Sequence, residues 1–218
     1  MPATEGTTGV ILRTRPLTET SLIVQWLTAD AGRVSTVAKG ARRAKSPFRG
    51  KLDLFHVAEL TFRRSRSSEL HTLAEVGLRE TYPALRTDWR RLTRASYGVA
   101  LIEQTTETDT PVPETYGLFL GYLGHINGAG STPCSVLALE LRHLEEMGMV
   151  PDLDRAALPP GSRRLAEELL VREWEDLAGM EVEPAVVTPL VRFLQSFLVF
   201  QLGRLPRGRA EALGAGCG

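Results

Sequence analysis

Ser21-Leu-Ile-Val-Gln-Trp-Leu-Thr28, Ala29-Asp-Ala-Gly32 and Arg33-Val-Ser-Thr-Val-Ala38 follow one another without interruption. The first segment is apolar and β-branched. The second is a turn in which Gly32 can take a positive φ. The third alternates polar and apolar residues, the pattern of a half-buried strand. The three together predict a twisted hairpin. Upstream, Gly9-Val-Ile-Leu-Arg-Thr-Arg15 alternates loosely and predicts a strand before it. Downstream, Leu54 to Arg64 predicts a strand with Phe55, Val57, Leu60 and Phe62 on inner faces. Its change of parity near Ala58 predicts a bulge. Ser65-Arg-Ser-Ser68 is a turn, and Glu69 to Val76 a fifth strand. Five short strands around a hairpin point to a small barrel. The five-stranded OB-fold is the first candidate and an SH3-like barrel the second.

After Pro83 the apolar period changes from two to about 3.6. Asp88 is placed to cap a helix whose inner face is Leu92, Ala95, Val99 and Ile102. Further helices are predicted over 114–126, 134–147, 162–178 and 184–204. The last is apolar on more than one face, which predicts either a central position in a bundle, the preferred reading, or a groove presented to a partner. The fold class expected is therefore α+β: an N-terminal OB-fold barrel followed by an all-α helical bundle. The expected boundaries are a flexible lead-in over 1–8, the barrel over 9–80, the helical domain over 81–205 and a flexible tail over 206–218.

The charge pattern points to function. Val37-Ala-Lys-Gly-Ala-Arg-Arg-Ala-Lys-Ser-Pro-Phe-Arg-Gly-Lys51, between the third and fourth strands, holds six cations and no acid in fifteen residues. Lys+Arg and Asp+Glu number 26 each over the chain, yet residues 1–80 hold 13 basic against 8 acidic residues. Asymmetry of this kind predicts a polyanion-binding front. No basic amphipathic helix accompanies it, which argues against a membrane surface. The candidate phosphate contacts are Lys39, Arg42, Arg43, Lys45, Arg49 and Lys51 in the loop, Arg63, Arg64 and Arg66 near the next turn, and Arg13 and Arg15 on the first strand. Trp26, Phe48 and Phe55 are the aromatics near enough to stack on a base; Trp26 and Phe55 are expected in the core, and Phe48 serves either stacking or anchoring. Binding should follow the sugar–phosphate backbone and weaken steeply with salt.

No catalytic constellation is present. Lys45-Ser46 lacks the glycine frame of a phosphate loop, and neither His-Glu-x-x-His nor Gly-x-Ser-x-Gly occurs. His56, His71, His125 and His143 have no ligand-spaced partner, and His143 beside Glu140, Glu145 and Glu146 reads as helix-surface ion pairing. Cys134 and Cys217 define neither a disulfide framework nor a metal cluster. No run of eighteen apolar residues and no secretory signal is seen, which predicts a cytoplasmic protein. A non-enzymatic binding protein without cofactor is expected. On the residues alone, an OB-fold RNA- or ribosome-associated factor and a non-catalytic protein adaptor are the alternatives.

Three segments carry a resemblance: Gly9 to Val24, Leu27-Thr28 with Gly32, and Val37-Ala-Lys-Gly-Ala-Arg-Arg43 with Lys45-Ser46. They resemble the amino-terminal signature of the bacterial RecO family of recombination mediators. Leu70-x-x-Leu-x-Glu75 is similar to the end of the same domain. Tyr97, the acidic 103–109 segment, Leu118–Leu123 and Leu139 to Leu153 resemble the helical domain that follows. The resemblance implies binding of single- and double-stranded DNA, annealing of complementary strands and help in loading the RecA recombinase within the RecF pathway. It implies RecR and the acidic C-terminal tail of single-strand binding protein as partners. Such a tail ends in aromatic and apolar residues and needs an apolar groove with a cationic rim. The Leu190–Leu202 helix suggests one, with Phe193 and Phe197 as walls and Arg142, Arg192 and Arg204 as rim. Many relatives carry a four-cysteine zinc element after the equivalent of Pro151-Asp-Leu153; here Asp154-Arg-Ala-Ala-Leu-Pro-Pro-Gly161 follows, without cysteine, so zinc is not carried over.

Overall fold

A computed structural model describes residues 4–128 and 130–214. It divides into two compact units, residues 1–82 with 106–117, and 83–105 with 118–218.

The first unit is built from β1 (Thr4–Pro16), β2 (Leu22–Thr28), β3 (Gly32–Ala38), β4 (Val57–Arg63) and β5 (Leu70–Glu80). They close a barrel in the order β1-β2-β3-β5-β4, with β3 and β5 parallel and every other pair antiparallel. This is the five-stranded OB-fold. β2 and β3 form the expected hairpin, Leu22 opposite Ala38 and Thr28 opposite Gly32. Ile11, Val24, Trp26, Val34, Ala38, Ala58, Leu60, Phe62, Leu73 and Val76 fill the interior. There the Trp26 indole donates to Thr36 Oγ1 at 2.9 Å, which satisfies its one polar atom.

β1 closes the barrel because its two halves pair with different strands, the second with β2 and the first with β4. At the crossing stands Gly9, where a Cβ would lie 2.9 Å from Thr28 Cγ2 and 3.1 Å from the Leu27 carbonyl. The bulge expected near Ala58 is present as a register shift between Val57 and Ala58. Phe55 does not belong to the strand; it is buried before β4 with φ 63°, donating to the Ile11 carbonyl at 2.9 Å.

Two expected boundaries of this unit are corrected. The flexible lead-in over 1–8 is strand from Thr4, which pairs with Arg63, to Thr8, which pairs with Glu59; residues 1–3 lie outside the described ones. The 106–112 connection packs on the barrel, not on the helices. Asp109 N–H donates to the Arg33 carbonyl at 3.0 Å, Val112 N–H to the Ala29 carbonyl at 3.1 Å, and Arg33 Nη2 to the Thr106 carbonyl at 2.7 Å.

The second unit contains α1 (Ala84–Thr87), α2 (Trp89–Thr105), most of α3 (Pro113–Asn127), α4 (Pro133–Glu146), α5 (Pro160–Val171), α6 (Pro184–Leu202) and α7 (Arg209–Leu213). Asp88 Oδ1 caps α2 by accepting from Arg90 N–H at 2.8 Å. Tyr97, Leu137, Leu141, Leu144, Leu165, Leu169, Leu190, Leu194 and Leu198 form the core. Leu92, expected inside, is 38% exposed.

Further expectations are corrected here. The helix predicted over 162–178 stops at Val171, because Arg142 Nε donates to the Leu169 carbonyl at 2.8 Å and Arg142 Nη2 to that of Arg172, capping its end. α6 buries one face only: Val187, Leu190, Val191, Leu194 and Leu198 are inside, whereas Phe200 is 80% exposed. By length and composition alone α6 also suffices to cross a membrane, with mean hydropathy 1.5, although no such segment was expected. The expected flexible tail is fixed as far as Gly214 by α7, since Arg209 Nε and Nη2 grip the two Glu140 oxygens at 2.7 and 2.9 Å; residues 215–218 lie outside the described ones. Glu140 is thus buried in an ion pair that also accepts from the Tyr97 hydroxyl, not on a helix surface. His143 is buried as well, 2.7 Å from Thr105 Oγ1.

Candidate nucleic-acid interface

The connection from β3 to β4 is a chain of tight turns. Arg43 N–H donates to the Gly40 carbonyl at 3.0 Å, Ser46 to Arg43 at 3.0 Å, Arg49 to Ser46 at 3.2 Å and Lys51 to Phe48 at 3.1 Å. Phe48 is buried into the barrel core with Leu52 and Ala41 packed beside it. Phe48 therefore anchors the loop. Arg42 ties the loop to the β1–β2 connection, N–H to the Thr20 carbonyl at 3.0 Å and Nη1 to that of Thr18 at 3.3 Å. The result is a well-braced cationic segment.

Lys39, Arg42, Arg43, Lys45 and Arg49 are exposed. Arg42, Arg43 and Arg49 line an open depression of ≈ 510 Å³ over Leu22, Phe48 and Leu52, with Asp53 at its edge. Arg49 Nη1 reaches the Ala44 carbonyl at 3.4 Å, and Lys51 Nζ is half-buried at 3.0 Å from the Val76 carbonyl. Among the described residues, none of these six cations forms an ion pair with a carboxylate.

Sheet register relates the loop to the other candidates. Arg15 pairs with Ile23, Ile23 with Val37, Val37 with Thr72 and Thr72 with Arg63. One rung thus carries Arg15 and Arg63 on either side of the strand that feeds the loop. Each lies two strands away, roughly 10 Å at the usual strand spacing. Arg13 and Arg66 are exposed on β1 and on the β4–β5 turn.

Arg64 differs. Its Nε and Nη2 donate to the Glu5 carboxylate at 2.8 and 2.9 Å, and its Nη1 to Asp109 Oδ1 at 2.6 Å. Hydrogen bonds donated to Glu5 and then to Asp109 push the Arg64 guanidinium above its ordinary range. The bond from Arg64 holds Glu5 below its own, against the opposing effect of burial. Arg64 thus ties β1 and the 106–112 connection to the end of β4. Sequence reasoning missed both acids because they lie 59 and 45 residues away.

The proposed partner-binding residues are only partly brought together. Phe193 and Phe197 stack at 6.0 Å, and Arg192 and exposed Phe200 stand on the same helix; Arg204 is exposed beyond its end, past the left-handed Gly203. Arg142 does not stand on a rim: it is half-buried, caps α5 and lies 4.2 Å over the Trp174 ring. Desolvation pulls its pKa below the ordinary arginine value. Among the described residues, no three His, Cys, Asp or Glu side chains are grouped to hold a metal ion, and Cys134 is buried.

An OB barrel with a braced, uncompensated cationic loop defines a class of polyanion-binding proteins. The family described as "Recombination protein O N terminal" matches residues 1–82, and "Recombination protein O C terminal" matches 86–158. Similar chains include the DNA repair protein RecO of Rhodopirellula baltica, 35% identical over 149 residues, 68% of this chain and 55% of that protein. That of Anaeromyxobacter dehalogenans is 34% identical over 150 residues, 69% and 59% of the two chains. That of Myxococcus xanthus is 29% identical over 203 residues, 90% and 82%. The chain belongs to the RecO family of DNA repair and recombination proteins. The first two matches span under two thirds of those relatives' length.

Proposed function

We propose that the protein is a non-catalytic recombination mediator that holds single- and double-stranded DNA on the β3–β4 loop and brings complementary strands together. The observation that carries this is the set Lys39, Arg42, Arg43, Lys45 and Arg49, exposed and free of carboxylate partners on a loop anchored by Phe48. Two DNA strands repel each other. Cations that neutralise the phosphates of both lower that repulsion and leave base edges free to pair. Nothing in this function needs a bond to be made or broken by the protein. Arg15 and Arg63, flanking the loop on one rung, extend the surface. With about five phosphates contacted, log K falls against log salt with a slope of about −3.5 on single strands. Fluorescence anisotropy with a labelled oligonucleotide tests the reading. The variant Arg42→Glu/Arg43→Glu/Lys45→Glu should lose binding while keeping its melting temperature, and unchanged affinity would remove the loop from the mechanism.

RecA loading with RecR, and capture of the acidic tail of single-strand binding protein, belong to the same reading through family membership. For the tail, the stripe of Phe193, Phe197 and Phe200 bordered by Arg192 and Arg204 matches an acidic peptide with an apolar end. Pull-down with a tail peptide should weaken on Phe197→Ala and Arg192→Ala but not on Arg42→Glu.

A further inference from the structure

We propose that Trp89, with the Arg90 guanidinium beside it, is a base-stacking contact for single-stranded nucleic acid, separate from the phosphate-binding loop. The inference rests on the nucleic-acid reading of that loop. Phosphate contacts alone do not tell a single strand from a duplex, whereas a stacking platform does, because only unpaired bases offer a free π-face. Among the described residues the barrel strands and the β3–β4 loop offer no such platform: Trp26, Phe48, Phe55 and Phe62 are all buried. Trp174 is half-buried among Tyr122, His125 and Arg142. Trp89 alone among the described tryptophans is exposed, at 66%.

Its surroundings match the ligand. The Arg90 guanidinium lies over one face of the ring, 5.9 Å from its centroid, so a base would stack on the other face with a cation at hand for the phosphate that follows it. Arg86, one turn earlier, is also exposed. The acid closest in sequence, Asp88, is occupied: it accepts from Arg90 N–H at 2.8 Å, lies 3.4 Å from Arg91 Nε, and is held below its ordinary range by these bonds. Arg91 turns away to the carbonyls of Ile126 at 3.2 Å and Gly128 at 2.5 Å. The backbone that carries the indole is held, since Thr93 Oγ1 donates to the Trp89 carbonyl at 2.7 Å and Asp88 caps the turn. A bilayer is the less favoured occupant. Leu92 is the one other exposed apolar side chain on this turn, too little area for interfacial insertion.

The test uses the full chain and three probes: a thymidine oligonucleotide, an abasic strand of equal length, and a duplex. Trp89→Ala should weaken thymidine-strand binding roughly 5- to 150-fold, the range for one stacked base. It should leave the abasic strand, the duplex and the salt slope unchanged, and Trp89→Phe should retain most of the affinity. Tryptophan emission should be quenched by the thymidine strand in the parent protein and in Arg43→Glu/Lys45→Glu at saturating strand, but not in Trp89→Phe. Equal affinity of Trp89→Ala and parent for the thymidine strand overturns the proposal, as does an equal loss on the abasic strand. Trp89-dependent sedimentation with anionic phosphatidylserine vesicles, without an effect on strand binding, also overturns it. Failure of the parent to bind any strand would instead strike the loop reading itself.

Discussion

Arg43 and Arg64 belong to the same barrel, and an outside anion meets them differently. Arg43 sits in a loop whose turns are closed by backbone bonds, so its guanidinium is not required for the fold. Arg64 is bridged by Glu5 and Asp109 and joins three chain segments. Arg209, Arg142 and Arg91 repeat the second pattern in the helical unit, gripping a buried carboxylate or helix-end carbonyls. Desolvation explains the division. A half-buried guanidinium has lost water and must recover its hydrogen bonds from the protein, whereas an exposed one keeps its water until a phosphate replaces it. A count of basic residues therefore overstates the binding surface.

The largest effect that sharpens this contrast is expected at Arg209. Removing it leaves Glu140 charged, buried and without its cation, and such a break costs about 3–5 kcal/mol. Chemical denaturation of Arg209→Ala should show that loss, and DNA affinity measured on the remaining folded protein should be unchanged. Replacing Arg209, Glu140 and Tyr97 together with Met, Leu and Phe should restore most of the stability, because the desolvation goes with the charges. Phe48→Ala comes next. Truncating a buried phenylalanine costs about 3 kcal/mol or more, and release of the loop should lower strand affinity as well. Phe48→Leu should keep both, which would confirm an anchoring role and exclude stacking.

Loop charge should separate from stability in the opposite sense. Neutralising Arg42, Arg43 and Lys45 should reduce the magnitude of the single-strand salt slope by about 2, three contacts at about 0.7 each. Stability should stay within about 0.5 kcal/mol, as for surface substitutions generally. A salt slope that does not move would place the phosphates elsewhere and break the distinction drawn between Arg43 and Arg64.

The hairpin of 21–38, the barrel and the bulge at Ala58 were legible in the sequence because alternation and turn residues are local signals. The exposed loop cations were legible for the same reason: no acid lies within residues 37–51. What escaped depends on distance. Thr4 to Thr8 carries no apolar residue, and its strand exists only because β4 offers backbone partners. The tail was expected to be flexible because the group that fixes Arg209, Glu140, is 69 residues away. α6 looked central because its apolar side chains fall on more than one face, yet five of its residues are buried and Phe200 stands in solvent. Apolar content predicts that a helix will seek contacts; it does not say whether they come from its own chain.

The smallest expected effect is at Glu5, and it bears most directly on whether Arg64 is structural. Hydrogen bonding to Arg64 lowers the Glu5 pKa from its ordinary 4.5, so the folded state binds this proton less readily than the unfolded chain. The contribution of Glu5 to stability is then fully present above about pH 4.5 and is lost as pH falls through the lowered value. Both side chains are about one third exposed, 34% and 36%, so solvent screening limits the pair to under about 1 kcal/mol. Glu5→Gln should therefore melt slightly below the parent at pH 7, and the gap should shrink once pH drops under 4.5. Arg64→Ala should abolish that pH-dependent difference while changing strand affinity less than about twofold, the outcome for a cation already satisfied from within. A loss of affinity in Arg64→Ala as large as that of Arg43→Ala would show that the two carboxylates yield to a phosphate, and the β4–β5 turn would join the binding surface.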